Sequence, residues 1–208
     1  MIYLSIETCF SMASISIFKN SSIYTKTNQI PSSQSDSLSN MVQNLLEELN
    51  IKANQIHSVI ANKGPGSFTG VRVGLSFIEG FCFDKNIKKL YLSSFGAILG
   101  NLNTTIKSDK NVLVVLKAMK DTFYIQEFSS ILDEISAPIF ISLADLKKML
   151  TEKDFLLLGN FKEYDFNKEV ISNCLEINSE GLMHSFLRNK KLIQTSCEPL
   201  YIRNAVNL

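Results

Sequence analysis

Four of the nine glycines in this 208-residue chain fall within Gly64-Pro65-Gly66-Ser67-Phe68-Thr69-Gly70-Val71-Arg72-Val73-Gly74, directly after the apolar run Val59-Ile60-Ala61. An apolar stretch of helical length follows. A strand, a tight loop and a helix start in that order can hold a phosphate on backbone N–H groups. The spacing meets neither phosphate motif. A Walker loop closes on Gly-Lys-Ser/Thr, whereas Gly70 is followed by Val71-Arg72, and Gly64, Gly66 and Gly70 form G-x-G-x-x-x-G rather than G-x-G-x-x-G. Metal chemistry fares no better: His57 and His184 lie far apart, and cysteines 9, 82, 174 and 197 are scattered without a C-x-x-C pair. No G-x-S-x-G elbow occurs, and after Gly100 only Gly159 and Gly181 remain as isolated glycines. No catalytic residue, cofactor-binding residue or metal ligand is therefore expected, and no cofactor. Glu7, at the end of the first apolar run, reads as a strand-end carboxylate facing water.

The elements that position the loop follow from periodicity. Ile2, Leu4 and Ile6 alternate with Tyr3, Ser5 and Glu7; Ala13, Ile15 and Ile17 resume the alternation, and Ser22 to Thr27 follow the turn at Lys19-Asn20-Ser21. These runs predict a three-strand antiparallel meander. Ser32-Ser33-Gln34-Ser35-Asp36 offers several N-caps for an amphipathic helix to Asn50, with Leu38, Met41, Val42, Leu45, Leu46 and Leu49 on one stripe. His57 to Asn62 is the strand that feeds the loop. From Gly70 to Phe83 only Arg72, Ser76 and Glu79 are clearly polar, so this helix is apolar on two sides. One line is Gly70, Gly74, Phe77 and Phe81, with small residues that admit a second backbone; the other is Val71, Leu75, Ile78 and Cys82. Either this chain's own sheet and helices cover both sides, or a partner covers one.

A short strand, Lys89 to Leu92, and a helix capped by Ser93 or Ser94 end the first half, and the polar run 103–110 marks a boundary. The second half predicts strands at Val112 to Leu116, Thr122 to Phe128 and Phe155 to Leu158, and helices at Leu143 to Leu150 behind Ser142 and at Asn178 to Lys191. In the last helix Leu182, Phe186 and His184 face inward. The expected division is 1–102, carrying the loop and the two apolar helices, and a smaller, divergent 103–208. Net charge is +1 and 45% of residues are apolar, which suits a cored globular chain and argues against a stand-alone nucleic-acid binder. The N-terminus lacks the basic flank and apolar core of a signal peptide, and no run approaches a membrane span, so a cytoplasmic protein is expected.

The run GPGSFTGVRVGLSFIEGF, together with the tail Glu198-Pro199-Leu200-Tyr201-Ile202-Arg203, resembles the signature loop and the E-P-x-Y-x-R ending of the TsaB (YeaZ) family. The signature loop is then Gly64, Pro65, Gly66, Ser67, Phe68, Thr69 and Gly70. The resemblance implies an α/β, two-lobed fold of the actin-like, sugar-kinase and Hsp70 (ASKHA) superfamily, with mixed sheets flanked by helices. It also implies a catalytically silent subunit that dimerises with TsaD, works with TsaE, and supports threonylcarbamoyl transfer to the adenosine beside the anticodon of tRNA. Contact with tRNA would come through that complex, and a homodimer is the form implied for the chain alone. The two apolar helices would pack with a partner's pair, which places Leu38, Met41, Val42, Leu45, Gly70, Val71, Gly74, Phe77, Ile78 and Phe81 at the expected interface. Three positions depart from the family's usual choices: Glu7 for Asp, Gln34 for His, and Lys117-Ala118-Met119 for Asp-Ala-Arg. The alternatives are an ASKHA-type enzyme, either a small-molecule kinase or metalloprotease-like, and a self-sufficient homodimeric scaffold.

Overall fold

The computed structural model describes residues 1–10, 12–28, 34–102, 106, 108–173 and 175–202, with the backbone alone at 34–37. The expected caps Ser32 and Ser33, the Gln34 side chain, Cys174, Arg203 and much of the polar run 103–110 lie outside the described residues. By its contacts the chain forms two compact units. The first holds Met1–Asn101 and Ile177–Leu200, and the second holds Leu102–Glu176 and the residues from Tyr201. The expected division at 102/103 leaves out the return of residues 177–200 to the first unit.

In the first unit β1 (Tyr3–Glu7), β2 (Ser14–Lys19) and β3 (Ser22–Thr27) form the expected meander, and α1 (Gln34–Glu48) leads to β4 (Ser58–Asn62), α2 (Phe68–Cys82), β5 (Lys88–Leu92) and α3 (Ser94–Gly100). The sheet order is β3-β2-β1-β4-β5, antiparallel through the meander and parallel at β1/β4 and β4/β5. Because side chains alternate along a strand, Leu4, Ile6, Ile15, Ile17, Val59 and Ala61 point to one face, where they pack with Leu38, Val42 and Leu45 of α1 and Val71, Leu75 and Ile78 of α2.

The polar set of the same strands is buried too. Ser5, Ser14 and Ser16 meet the start of α5 (Ser179–Arg188): Ser5 Oγ donates to Ser179 O at 2.7 Å, Ser179 N donates to Ser14 Oγ at 2.9 Å, and the Ser16 and Ser179 hydroxyls are 2.7 Å apart. Each hydroxyl finds a partner, which is what allows the face to be covered. Helix α5 also crosses α3 closely; a methyl group at Gly100 would fall 1.9 Å from Gly181 O.

The second unit repeats the plan. β6 (Val112–Met119), β7 (Thr122–Phe128) and β8 (Ile139–Ser142) form an antiparallel set, α4 (Leu143–Glu152) follows, and β9 (Leu156–Gly159) and β10 (Val170–Ser172) add in parallel, giving the order β10-β9-β6-β7-β8. Its core joins Leu113, Val115, Phe123, Ile125, Leu146, Leu150, Phe155 and Leu157. The sequence patterns place α4 and its Ser142 cap correctly, with Asp145 N donating to Ser142 Oγ at 3.2 Å. Strands β8 and β10 have no counterpart among the expected elements: the first has four residues and the second three, too short for an alternation to stand out. The fold class is as expected, two mixed sheets flanked by helices.

Candidate docking groove and the loop that seats it

Ser67 caps α2 by accepting from Gly70 N at 3.2 Å, so the helix begins at Phe68, two residues before the position at which apolar spacing starts it. Of the signature loop, Gly64, Pro65 and Gly70 are buried, Gly66 is half-buried, and Ser67, Phe68 and Thr69 are exposed. Gly64 takes φ +101°, a conformation that favours glycine, and Leu200 of the chain's tail packs against it, with Leu200 N donating to Lys63 O at 2.7 Å.

The small-residue line of α2 does not receive a partner helix. A methyl group at Gly70 would sit 1.9 Å from Thr8 O, one at Gly74 2.5 Å from Thr8 Oγ1, and one at Gly66 2.5 Å from Cys9 O. The turn that follows β1 therefore lies in the notch these glycines make. Thr8 Oγ1 donates to Gly70 O at 2.7 Å and Ser67 N donates to Cys9 O at 2.7 Å, which fastens it there.

The expected interface set divides accordingly. Leu38, Val42, Leu45, Gly70, Val71, Gly74 and Ile78 are buried within the chain itself, packed on the sheet or against the Thr8–Cys9 turn. This chain covers the line Val71, Leu75, Ile78 and Cys82 and the glycines Gly70 and Gly74 of α2. Met41, Phe77 and Phe81 are half-buried and line the rim of that core.

Among the described residues, a valley between α1 and α2 stays open. Its first part, about 520 Å³, is walled by Leu38, Ser39, Phe68, Arg72, Ser76 and Phe77. A second part of about 360 Å³ continues past Phe77 and Ser39 to Gln43, Glu47, Leu46 and Phe81. Phe77 and Phe81 stack along one wall with centroids 5.6 Å apart, and the Arg72 guanidinium lies 3.6 Å over the Phe68 ring, which is 55% exposed. Phe68, Arg72 and Ser76 thus line the groove although the apolar pattern singled out other residues; the mark of Arg72 and Ser76 in the sequence was the narrow polar stripe they share with Glu79.

Beneath the loop lies a polar cluster that sequence spacing did not find. Glu7 is fully buried rather than facing water. Cys9 N donates to Glu7 Oε1 at 2.5 Å and the Asn62 amide donates to Glu7 Oε2. Asn62 also donates to Ser94 Oγ at 2.9 Å and accepts from Gly64 N at 2.9 Å, while Ser94 Oγ donates to Pro65 O at 2.6 Å. Burial pushes the Glu7 carboxyl up to about 7, against the opposing pull of hydrogen bonds from Asn62, Cys9 and Phe10. Burial and the neighbouring Glu7 charge push the Cys9 thiol well up, so it is an inert core group rather than a nucleophile. Among the described residues no three His, Cys, Asp or Glu side chains converge as a metal site would require. Nor is any described helix long and apolar enough to cross a membrane.

A family model described as "TsaD: tRNA N6-adenosine threonylcarbamoyltransferase" matches residues 31–193, well over half of the chain, and the chain belongs to that family. Within it, the relatives and solved structures it resembles are of the TsaB, or YeaZ, kind, and this chain is of that kind too. A protein named tRNA threonylcarbamoyladenosine biosynthesis protein TsaB, from Buchnera aphidicola subsp. Baizongia pistaciae, is 24% identical over 96% of both chains. A Bacillus subtilis protein of the same name is 25% identical over 64% of this chain and 58% of its own. Among solved structures, YeaZ from Pseudomonas aeruginosa superposes with a TM-score of 0.72 at 16% identity, covering 97% of this chain and 99% of that one. A putative N-acetylmannosamine kinase from Listeria monocytogenes superposes at 0.52 with 9% identity, covering 91% of this chain and 100% of its own, and extends the likeness in fold to the ASKHA-type proteins.

Proposed function

We propose that this chain is a non-catalytic subunit in threonylcarbamoyladenosine formation on tRNA, and that it docks a TsaD-type transferase in the groove between α1 and α2. The observation that carries the reading is the groove itself: an apolar valley edged by Phe68, Phe77 and Phe81 on the signature helix, open to a partner helix. The Glu7 cluster, the most chemically loaded group found, is sealed from solvent and bound to backbone and amide donors, which fits a structural part better than a reacting one. The family resemblance supplies the partner, with TsaE and tRNA joining through the complex in the cytoplasm. Filling the groove tests the reading. Ser76→Arg changes an exposed position in mid-helix to a good helix former, so the fold should stand while affinity for the TsaD-type transferase of the same organism falls at least about tenfold. Unchanged affinity in a titration by calorimetry overturns the assignment. The same groove fits a second copy of this chain when the transferase is absent, and sedimentation of wild type and Ser76→Arg separates that case.

A further inference from the structure

Among the described residues Glu7 is the only carboxylate in the buried interior, and the groove reading leaves it without a task. Its two oxygens face donors on two different flanks of the α2 seat, the Cys9–Phe10 turn on one side and Asn62 on the other. Oε1 holds the backbone N–H of Cys9, in the turn that fills the glycine notch of α2, and Oε2 holds Asn62, which in turn fixes Gly64 and Ser94. The ionised carboxylate satisfies these donors while keeping a charge away from water. A proton relieves that charge, but it has no acceptor waiting: the Asn62 carbonyl is already taken by Gly64 N and approached by Ser94 Oγ at 3.2 Å, and the Ser94 hydroxyl is given to Pro65 O. Each state of the carboxyl therefore leaves something unmet.

We propose that Glu7 is a proton-operated latch, in which proton uptake displaces one of its donors, loosens the Thr8–Cys9 turn and with it the first turn of α2 at the head of the groove. The path is short and continuous. Cys9 N holds the turn to Glu7, Cys9 O accepts from Ser67 N at 2.7 Å, and Ser67 O accepts from Val71 N at 2.9 Å. The elements packed around the carboxyl bring few competing titrations. From the turn comes the Cys9 thiol, held protonated by burial; from the end of β4 come neutral Asn62 and the buried Lys63; from α3 comes the neutral Ser94; and α2 presents Gly70 and Gly74 to the turn. The latch belongs to the free chain and holds or fails whether or not a transferase docks in the groove.

The test pairs a carboxyl titration with hydrogen exchange on the full chain. With 13C-labelled glutamate, the Glu7 side-chain carbon should titrate with a midpoint near the value of about 7 set by its burial. The protection of the Cys9, Ser67 and Val71 amides, corrected for intrinsic exchange, should fall roughly threefold or more between about pH 8 and about pH 6, following that midpoint, while β6 amides stay level. Glu7→Gln should remove the change. A Glu7 midpoint below about 5.5, or an equal loss of protection in Glu7→Gln, overturns the proposal. If that variant does not fold, the wild-type comparison decides alone: protection that does not follow the Glu7 titration overturns it as well.

Discussion

The connection between the two parallel strands is the helix α2 in the first unit, and in the second unit the matching connection, β9 to β10, is a loop over residues 160–169. Both sheets have the same strand order, so the difference lies in what each connection buries. In the first unit, glycines let a helix settle onto the turn after the central strand, and a phenylalanine-edged groove is left against α1. In the second unit, Phe161, Tyr164 and Phe166 pack over the core from a loop, with Phe123 and Tyr164 meeting edge-on at 5.0 Å and Phe161 and Phe166 tilted at 5.3 Å, and the hollow of about 550 Å³ left against α4 is lined by Lys147, Thr151, Asp165 and Lys168 beside Phe166 rather than by a row of phenylalanines. The contrast extends to the central strands. Ile6 pairs with Ala61 in one sheet and Val115 with Gly159 in the other, so the next residues, Glu7 beside Asn62 and Leu116 beside Asn160, stand at matching places. Leu116 is fully buried and Asn160 Oδ1 accepts from Lys117 N at 2.6 Å. One topology thus tolerates an apolar residue where the other keeps an ionisable one, so the acid is not required by the sheet and is tied instead to the α2 seat.

The contrast can be broken at several points. Gly70→Leu carries the largest expected effect: its Cβ would meet the Thr8 backbone oxygen, and because backbone cannot step aside as a side chain can, about 3 kcal/mol or more of stability should be lost in urea denaturation. Glu7 comes next. Its carboxyl is raised from 4.5 to about 7 on folding, so its contribution is fully present below the lower value and disappears as pH rises through the higher one. Stability should drop by ~3 kcal/mol across that window relative to Glu7→Gln, which should be level there. Global stability and local latch order then move in opposite directions with pH, since neutralising a buried charge helps the fold while costing the turn a donor. A smaller effect is expected of Phe68→Asp. Phe68 is the first helical residue and over half exposed, and an acid at a helix N-terminus is favourable, so the melting temperature should hold while transferase binding weakens several-fold. Lys117→Ala removes a solvent-exposed pair with Glu163 in the second unit and should leave both melting and binding unchanged within error.

Much of this was legible in the residues. The meander, α1, α2, the Ser142 cap and a cap at Ser93 or Ser94 announced themselves because period-2 and period-3.6 patterns and short polar caps act locally, whereas Asn178, read as the first helical residue, proved to be the cap of α5. The expected interface residues Leu38, Val42, Leu45, Val71 and Ile78 are buried within the chain itself, because a hydrophobic stripe does not say whose atoms cover it. Glu7 was misplaced for the same reason. Alternation set it opposite Ile6, on the face with Ser5, and nothing along the chain announces that the loop from Gly64, the start of α3 and the turn at Cys9 converge on it.

The sequence by itself determined most of the segments that become strands and helices, β8 and β10 excepted, that the glycine run opens a helix without meeting a phosphate motif, and which family the chain resembles. Only the tertiary structure decided that the glycine notch holds the chain's own turn, that residues 177–200 return to the first unit, and that the open surface is the valley beside the apolar stripe rather than the stripe. Local conformation depends on neighbours a few residues away, whereas burial depends on atoms brought together across more than a hundred positions, as Ser5 and Ser179 are here.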